Sequence, residues 1–272
     1  MPELPEVETI CRALKKNIKS REVSQFIVFN KNLRWKIDTK IKNLIKNNYL
    51  IKIERKGKYL LFFFKNGSLI IHLGMTGFLK FVIKDKDKKT DTHDHYQIVF
   101  KDGTNLVYND IRKFGSIHWE EKIENNFLIK NLGLEPLSDE FDSNYLFEIG
   151  KKRKITIKDL IMNQKIVTGI GNIYASESLF LAKIRPNKKS NKLNRQNYID
   201  LVASIKKILK LAIKKGGTSI KDFKTIDGKP GYFSQDLSVY GRKNCPSCGK
   251  SSRLKKLKIN GRTSFFCNIC QQ

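Results

Sequence analysis

MPELPEVE, residues 1–8, is the stretch on which the reading of this chain turns. A small residue behind the initiator permits removal of Met1, which would leave Pro2 with a free secondary amine. An α-amine titrates near ~7.7–8.0, so part of it is neutral and nucleophilic at cell pH. A secondary amine attacking a carbonyl-like carbon gives an iminium, the Schiff-base form of covalent catalysis. Pro5 suits the first turn of a helix, and Glu6 and Glu8 suit its positive end. Taken alone, the same string also describes an ordinary capped helix start.

Outward from it, Val7, Ile10, Leu14 and Ile18 recur at three- and four-residue steps, which predicts an amphipathic helix from Pro5 to about Lys19. Cys11 lies within it as a small buried thiol with no assigned role. Short β-rich segments follow: VSQFIVFN, then YLIKIERKGKYLLFFF, then an Asn66-Gly67 turn into SLIIHLGM. QIVF and NLVY flank Lys101-Asp102-Gly103-Thr104 as a second hairpin, and KDKDKKTD, between SLIIHLGM and that hairpin, is a charged loop. Residues 1–130 thus read as an antiparallel β-sandwich with a leading helix. The acidic, Pro- and Ser-containing stretch 131–145 reads as a linker, 146–235 as a helical domain and 236–272 as a finger, an α+β chain overall.

Net charge is +28 over 272 residues, which points to a polyanionic partner. Only 11 of the 54 basic residues are Arg, and Lys, Asn and Ile are abundant throughout, so part of the charge is compositional. No apolar run reaches the roughly 18–20 residues of a membrane span, and Pro2 with Glu3 contradicts a secretory signal. Four of the five cysteines form Cys245-x2-Cys248 and Cys267-x2-Cys270, 18 residues apart. That is metal spacing: four thiolates suit one tetrahedral Zn2+ with no open position, a structural site in a cytosolic protein. Between the pairs, LKKLKINGRTSFF reads as two strands around Asn260-Gly261, with Arg262 at the tip.

Other residues carry chemistry only in context. Lys58 in RKGKYL sits at a strand start, by default solvated or on phosphate. Met75 in HLGMTG, and Arg112, Lys113 and Phe114 in NDIRKFG, are by themselves ordinary loop residues. His93 and His95 share a strand face but lack a nearby third ligand, which argues against a metal. GIGN at 169–172 is not a dinucleotide fingerprint, because position 174 is Tyr and the preceding segment is helical. It reads as a glycine-bearing turn opening a helix, with Asn172 at the cap and backbone N–H groups free for a phosphate. YIDLVASIKKILKLAIKK is an amphipathic helix that Gly216-Gly217 stops.

PELPEVET, the lysine of KYL, GIGNIYASES and the paired CxxC finger occur in this order over nearly the whole chain. Together they resemble the formamidopyrimidine-DNA glycosylase family, bacterial enzymes that remove oxidised purines from DNA. The resemblance implies a bifunctional glycosylase and abasic-site lyase: Pro2 attacks C1′, Glu3 protonates the sugar oxygen, Glu6 orients the site, and Lys58 serves the steps after base removal. It makes Met75, Arg112 and Phe114 the side chains that fill the gap left by an extruded nucleotide. It places His93, Arg153, Lys158 and Asn172 near DNA phosphate, although for Arg153 and Lys158 a solvated basic face fits equally. Arg262 would stabilise or protonate the departing phosphate, and GTSIKDFKTIDGKPGYF would close over the extruded base. Ile111 and Lys113 depart from the usual DPRRFG, and Lys113 loses the planar fork of arginine, which weakens a phosphate clamp. The implied partner is double-stranded DNA containing an oxidised base, bound by a monomer, with one structural Zn2+ and no cofactor in the chemistry. Endonuclease VIII relatives, which favour oxidised pyrimidines, typically read PEGPE, and Leu4 argues for the purine branch. A catalytically silent DNA-binding module would lack Pro2, Glu3 or Lys58, and a zinc-ribbon RNA-binding protein would leave PELPEVE without a purpose.

Overall fold

The first periodic run forms α1, Leu4–Ile18, and buries Val7, Ile10, Leu14 and Ile18 on one face. The structure is a computed structural model that describes residues 2–18, 20–83, 91–218, 233–249 and 253–272. It separates into two units, Met1–Lys130 with Gly216–Gly231, and Asn131–Lys215 with Tyr232–Gln272. Most of KDKDKKTD and of the glycine-rich stretch 217–233 lies outside the described residues.

In the first unit the chain continues through β1 (Val23–Val28), the short α2 (Ile41–Ile45), β2 (Lys52–Lys56), β3 (Tyr59–Phe64) and β4 (Gly67–His72). β5 (Phe78–Ile83), β6 (Asp94–Phe100), β7 (Thr104–Asn109) and β8 (Ser116–Glu120) complete it. Two four-stranded sheets result, β1-β6-β7-β5 and β2-β3-β4-β8, with every pairing antiparallel. This is the expected sandwich. Its single core draws Phe26, Tyr96, Ile98 and Leu106 from one sheet, Leu60, Phe62, Leu69 and Ile71 from the other, and Val7, Ile10 and Leu14 from α1. Full burial of such a side chain is worth roughly 1.5–3 kcal/mol. The facing apolar surfaces therefore outweigh the turns as the source of stability.

The second unit is helical. α3 (Ser143–Gly150) starts at Asp142, whose carboxylate accepts from Tyr145 N. α4 (Ile157–Met162) is capped by Thr156, and α5 (Asn172–Leu181) and α6 (Arg195–Lys214) follow. α6 opens with a reciprocal capping box between Asn194 and Asn197. It buries Tyr198, Leu201, Val202, Ile205, Leu209 and Ala212, the face its periodicity predicts, and stops just before Gly216, where φ is +75°. The acidic stretch after Lys130 is packed rather than loose: Phe141 is fully buried in this core and Leu134 pairs with Val167. The finger is β9 (Lys255–Ile259) and β10 (Arg262–Phe266). Asn260 and Gly261 both have positive φ, +43° and +74°, as a two-residue primed turn requires.

Candidate functional site

The start of α1 is built around one buried carboxylate. Glu6 Oε2 accepts from Glu3 N at 2.9 Å, the return half of a capping box at the helix N-terminus. Its other oxygen accepts from Thr218 N at 2.8 Å and from the Thr218 hydroxyl at 3.0 Å. Gly217 permits this approach, since a Cβ there would lie 2.8 Å from Glu6 Oε1, and φ is +82°. Pro2, Glu3 and Glu6 are all buried. The backbone that carries Pro2 and Glu3 is therefore fixed by a residue within the first helical turn.

Lys58 occupies, with Gly57, the two-residue turn between β2 and β3 rather than the strand itself, and is 7% exposed. Its burial removes the solvated reading. Arg55 beside it pairs with Glu8 at 2.8 Å and donates to Gly57 O, which fixes the turn against α1. His72, at the end of β4, has its ring 5.0 Å from that of Tyr59 and accepts from Gly74 N through Nδ1. Burial, then the nearby positive charges of Lys58 and Arg34, push the imidazole down to about 4, with Asp110 acting weakly the other way. His72 is thus neutral at cell pH, its proton on Nε2.

Two loops of the first unit present exposed side chains. Met75 stands out from the loop after β4, and Ile111, Arg112, Lys113 and Phe114 from the loop after β7. The Arg112 guanidinium lies 4.7 Å above the Phe114 ring, a favourable cation–π geometry. Met75 and Phe114 are exposed large apolar side chains on adjacent loops, as a wedge for a base stack requires, and Ile111 is exposed beside them. His93 is partly exposed, and its carbonyl accepts from Asp110 N. His95 points inward, fully buried, with Nε2 2.7 Å from Asp110 O. The two histidines therefore do not face a common ligand.

In the second unit the GIGN turn is braced by Gln164. Its Oε1 accepts from Gly169 N and its Nε2 donates to Met162 O and Ile170 O. The helix cap is Gly171, and Asn172 is the first helical residue, one position later than the sequence suggests. Gly171 supplies the extended cap backbone, which frees the Asn172 side chain for other partners. Its Oδ1 accepts from Lys158 Nζ at 2.6 Å and its Nδ2 donates to Thr263 O on the finger at 3.0 Å. Lys158 is 1% exposed and donates also to Ser264 Oγ at 2.6 Å. It is no solvated basic face: the ammonium sits between the α5 N-terminus and β10. Asn260 at the finger tip donates to Asp159 of α4 at 2.8 Å. Arg262 is exposed beside it, on a cleft of ≈ 410 Å³ that Lys158, Asp159 and Asn163 also line. Arg153 is fully on the surface.

The four finger cysteines converge. All four Sγ atoms lie within 4.8 Å of one another, and pairs stand 3.7, 3.7 and 3.1 Å apart. A tetrahedral site with metal–sulfur bonds near 2.3 Å has edges of about 3.8 Å, so these thiols can hold a metal ion with little adjustment. Gln271 locks the second pair, accepting from Cys267 N and donating to Ile184 O. Among the described residues this is the one cluster of His, Cys, Asp or Glu placed for a metal.

Several residues of the site had no sequence reading. Thr218, His72, Gln164, Ser264 and Glu177 were among them. Glu177, in GNIYASES, is buried and accepts from the backbone N–H of Ser238, Val239 and Tyr240. Desolvation raises its carboxyl despite those three donors. Only its place in an otherwise apolar helix face could have signalled it.

Comparison with known proteins points to one family. Residues 1–117 match the family model described as the formamidopyrimidine-DNA glycosylase N-terminal domain, and 132–224 match its H2TH domain. The formamidopyrimidine-DNA glycosylase of Colwellia psychrerythraea is 43% identical over 275 residues, covering 100% of both chains. A crystal structure of the Lactococcus lactis Fpg with DNA containing an abasic site superposes with a TM-score of 0.89 at 35% identity, over 99% of each chain. The inhibited LlFpg bound to N7-benzyl-Fapy-dG DNA gives 0.90 at 35% identity, over 100% of each.

Proposed function

Because this chain belongs to the formamidopyrimidine-DNA glycosylase family, we propose that it excises oxidised purines from double-stranded DNA and then cleaves the abasic strand. The single observation that carries the residue assignment is the buried Glu6 carboxylate, which holds the backbone of Glu3 and of Thr218 at once. A terminal amine is useful as a nucleophile only if its chain end is positioned, and positioning is worth a large part of a catalysed barrier.

With Met1 removed, the Pro2 nitrogen attacks C1′ of an extruded nucleotide. The glycosidic bond breaks, its electron pair leaves with the base, and the base takes up the proton that the Pro2 nitrogen gives up. Glu3 protonates the sugar ring oxygen, the ring opens, and the Pro2–C1′ iminium forms. The iminium acidifies a C2′ hydrogen; loss of that proton expels the 3′ phosphate, and a second elimination through C4′ expels the 5′ phosphate. Lys58, held in its tight turn and close enough to lower the His72 pKa, serves the steps after base release. Arg262 meets the departing phosphate as a fixed cation. Met75, Arg112 and Phe114 enter the gap the nucleotide leaves; extrusion costs a few kcal/mol, and an inserted apolar wedge offsets part of it.

His93, Lys113, Arg153 and the Asn172 turn grip the phosphate backbone. Lys158 contributes through Asn172 and Ser264. The four cysteines hold one structural Zn2+, which gives a small hairpin with few apolar residues the stability its core lacks. Among the described residues no helix is long and apolar enough to cross a membrane. The protein acts as a monomer on DNA in the cytoplasm.

Borohydride trapping tests this reading. The substrate is a duplex with one 8-oxoguanine opposite cytosine, and native protein is compared with Pro2→Gly and with a form that retains Met1. A covalent adduct with native protein, absent or strongly reduced in both variants, is the expected result. An adduct only with an oxidised pyrimidine moves the substrate assignment to the sister branch. Equal adducts in all three forms remove Pro2 as the nucleophile.

A further inference from the structure

The two loops that carry Met75, Arg112 and Phe114 share one buried acid. Asp110 is fully buried, at the end of β7. Its Oδ1 accepts from the Thr76 hydroxyl at 2.5 Å and from Arg112 N at 3.3 Å. Its Oδ2 accepts from Gly115 N at 2.8 Å and from the Tyr108 hydroxyl at 3.1 Å. The single Tyr108 hydroxyl proton is shared with Leu73 O, 3.3 Å away, and Thr76 Oγ1 also accepts from Arg112 N at 3.1 Å. The main chain of Asp110 adds bonds to His93 O, to the His95 ring and from Lys113 N. Every side chain of this unit assigned above to the wedge or to phosphate lies within a residue or two of one of these bonds.

Packing reinforces the network. A Cβ on Gly115 would collide with the Tyr108 hydroxyl, one on Gly74 with the backbone of Phe114 and Gly115, and one on Gly77 with Tyr108 and Leu73 O. The loops are fitted to each other with no space between them. A buried carboxylate that accepts four donors is a high-stakes arrangement, strong when complete and costly when one acceptor is lost.

We propose that Asp110 is a positioning residue for base extrusion: its carboxylate joins the Met75 loop to the Arg112–Phe114 loop, so that the wedge enters the DNA as one preassembled body. The inference rests on the glycosylase reading and deepens it. Pre-organisation removes the ordering of three side chains from the extrusion step. Asp110 touches no reacting atom in this scheme.

Substitution separates the two sides of the hub. In Asp110→Asn the amide faces either Gly115 N–H or Arg112 N–H, and neither can turn to accept. Thr76→Val leaves the Asp110 carboxylate in place but removes the hydroxyl through which the Met75 loop meets Asp110 and Arg112 N, and Thr76→Ser restores that hydroxyl. Two rates are measured for each protein: excision from an 8-oxoguanine duplex carrying 2-aminopurine beside the lesion, whose fluorescence reports unstacking, and borohydride trapping on a single-stranded abasic oligonucleotide. Relative to its own single-strand trapping, Asp110→Asn slows the fluorescence rise and duplex excision by about tenfold or more, the scale of one lost charge-assisted hydrogen bond. Thr76→Val moves in the same direction and Thr76→Ser returns to native. Proportional losses on both substrates, or an unchanged fluorescence rise, overturn the proposal. If Asp110→Asn does not fold, the Thr76 pair decides it alone. Failure of native protein to react with either substrate would instead remove the underlying glycosylase reading, and this proposal with it.

Discussion

Glu6 and Thr218 stand 212 positions apart, yet one carboxylate oxygen of Glu6 accepts both the N–H and the hydroxyl of Thr218. The other oxygen accepts Glu3 N. Both acceptors are committed, so Glu6→Gln must turn its amide donor toward one backbone N–H. A buried N–H left without an acceptor costs about 1–3 kcal/mol. The expected result is a stability loss of that size in denaturant titration, together with slower borohydride adduct formation. Thr218→Val removes only the hydroxyl bond and loses about 1 kcal/mol. An adduct rate in Glu6→Gln equal to native would show that the chain end needs no such anchor.

Lys158 and Arg153 differ in burial, and salt dependence tells their roles apart. Each phosphate contact contributes about 0.9 to the slope of log K against log salt. Arg153→Ala, which removes an exposed cation, lowers that slope by about one contact. Lys158→Met weakens binding by loosening Asn172 and Ser264 while the slope stays near native. A lowered slope in Lys158→Met would put that ammonium on phosphate instead.

His72 gives the fold a pH dependence of defined sign. Its imidazole binds a proton only near 4 when folded, against 6.5 in the unfolded chain. Between these values the unfolded state holds more protons, so its contribution is complete above about pH 6.5, declines as pH falls and levels off below about pH 4. The full span amounts to at most roughly 3 kcal/mol. His72→Gln, which retains an acceptor for Gly74 N–H, flattens the stability curve across that window. An NMR titration that put the His72 midpoint near 6.5 would refute this.

The local pattern of the sequence was a sufficient guide wherever the partners are close in the chain. Val7, Ile10 and Leu14 report α1, Asn260-Gly261 reports the finger turn, and two CxxC pairs report a four-thiol cluster, because each depends on spacings of a few residues. Glu6–Thr218, Lys158–Ser264 and Glu177 with Ser238–Tyr240 depend on pairings across 61 to 212 positions. Nothing in the neighbourhood of Lys158 distinguishes a buried lysine from the many exposed ones of a chain this basic. The Asn172 cap was displaced by one residue for a smaller reason: both Gly and Asn are good caps, and only the competing bonds to Lys158 and Thr263 decide between them.

The glycines beneath the Met75 and Arg112–Phe114 loops are more constrained than the large side chains those loops expose. Ile111 and Lys113, the two departures from the DPRRFG pattern, are exposed, so they replace proline and arginine there without disturbing the core. Gly74, Gly77 and Gly115 offer no such latitude, because even an alanine has nowhere to go. Side chains can thus change at the exposed tips of these loops, while the three glycines that set the spacing between them admit none.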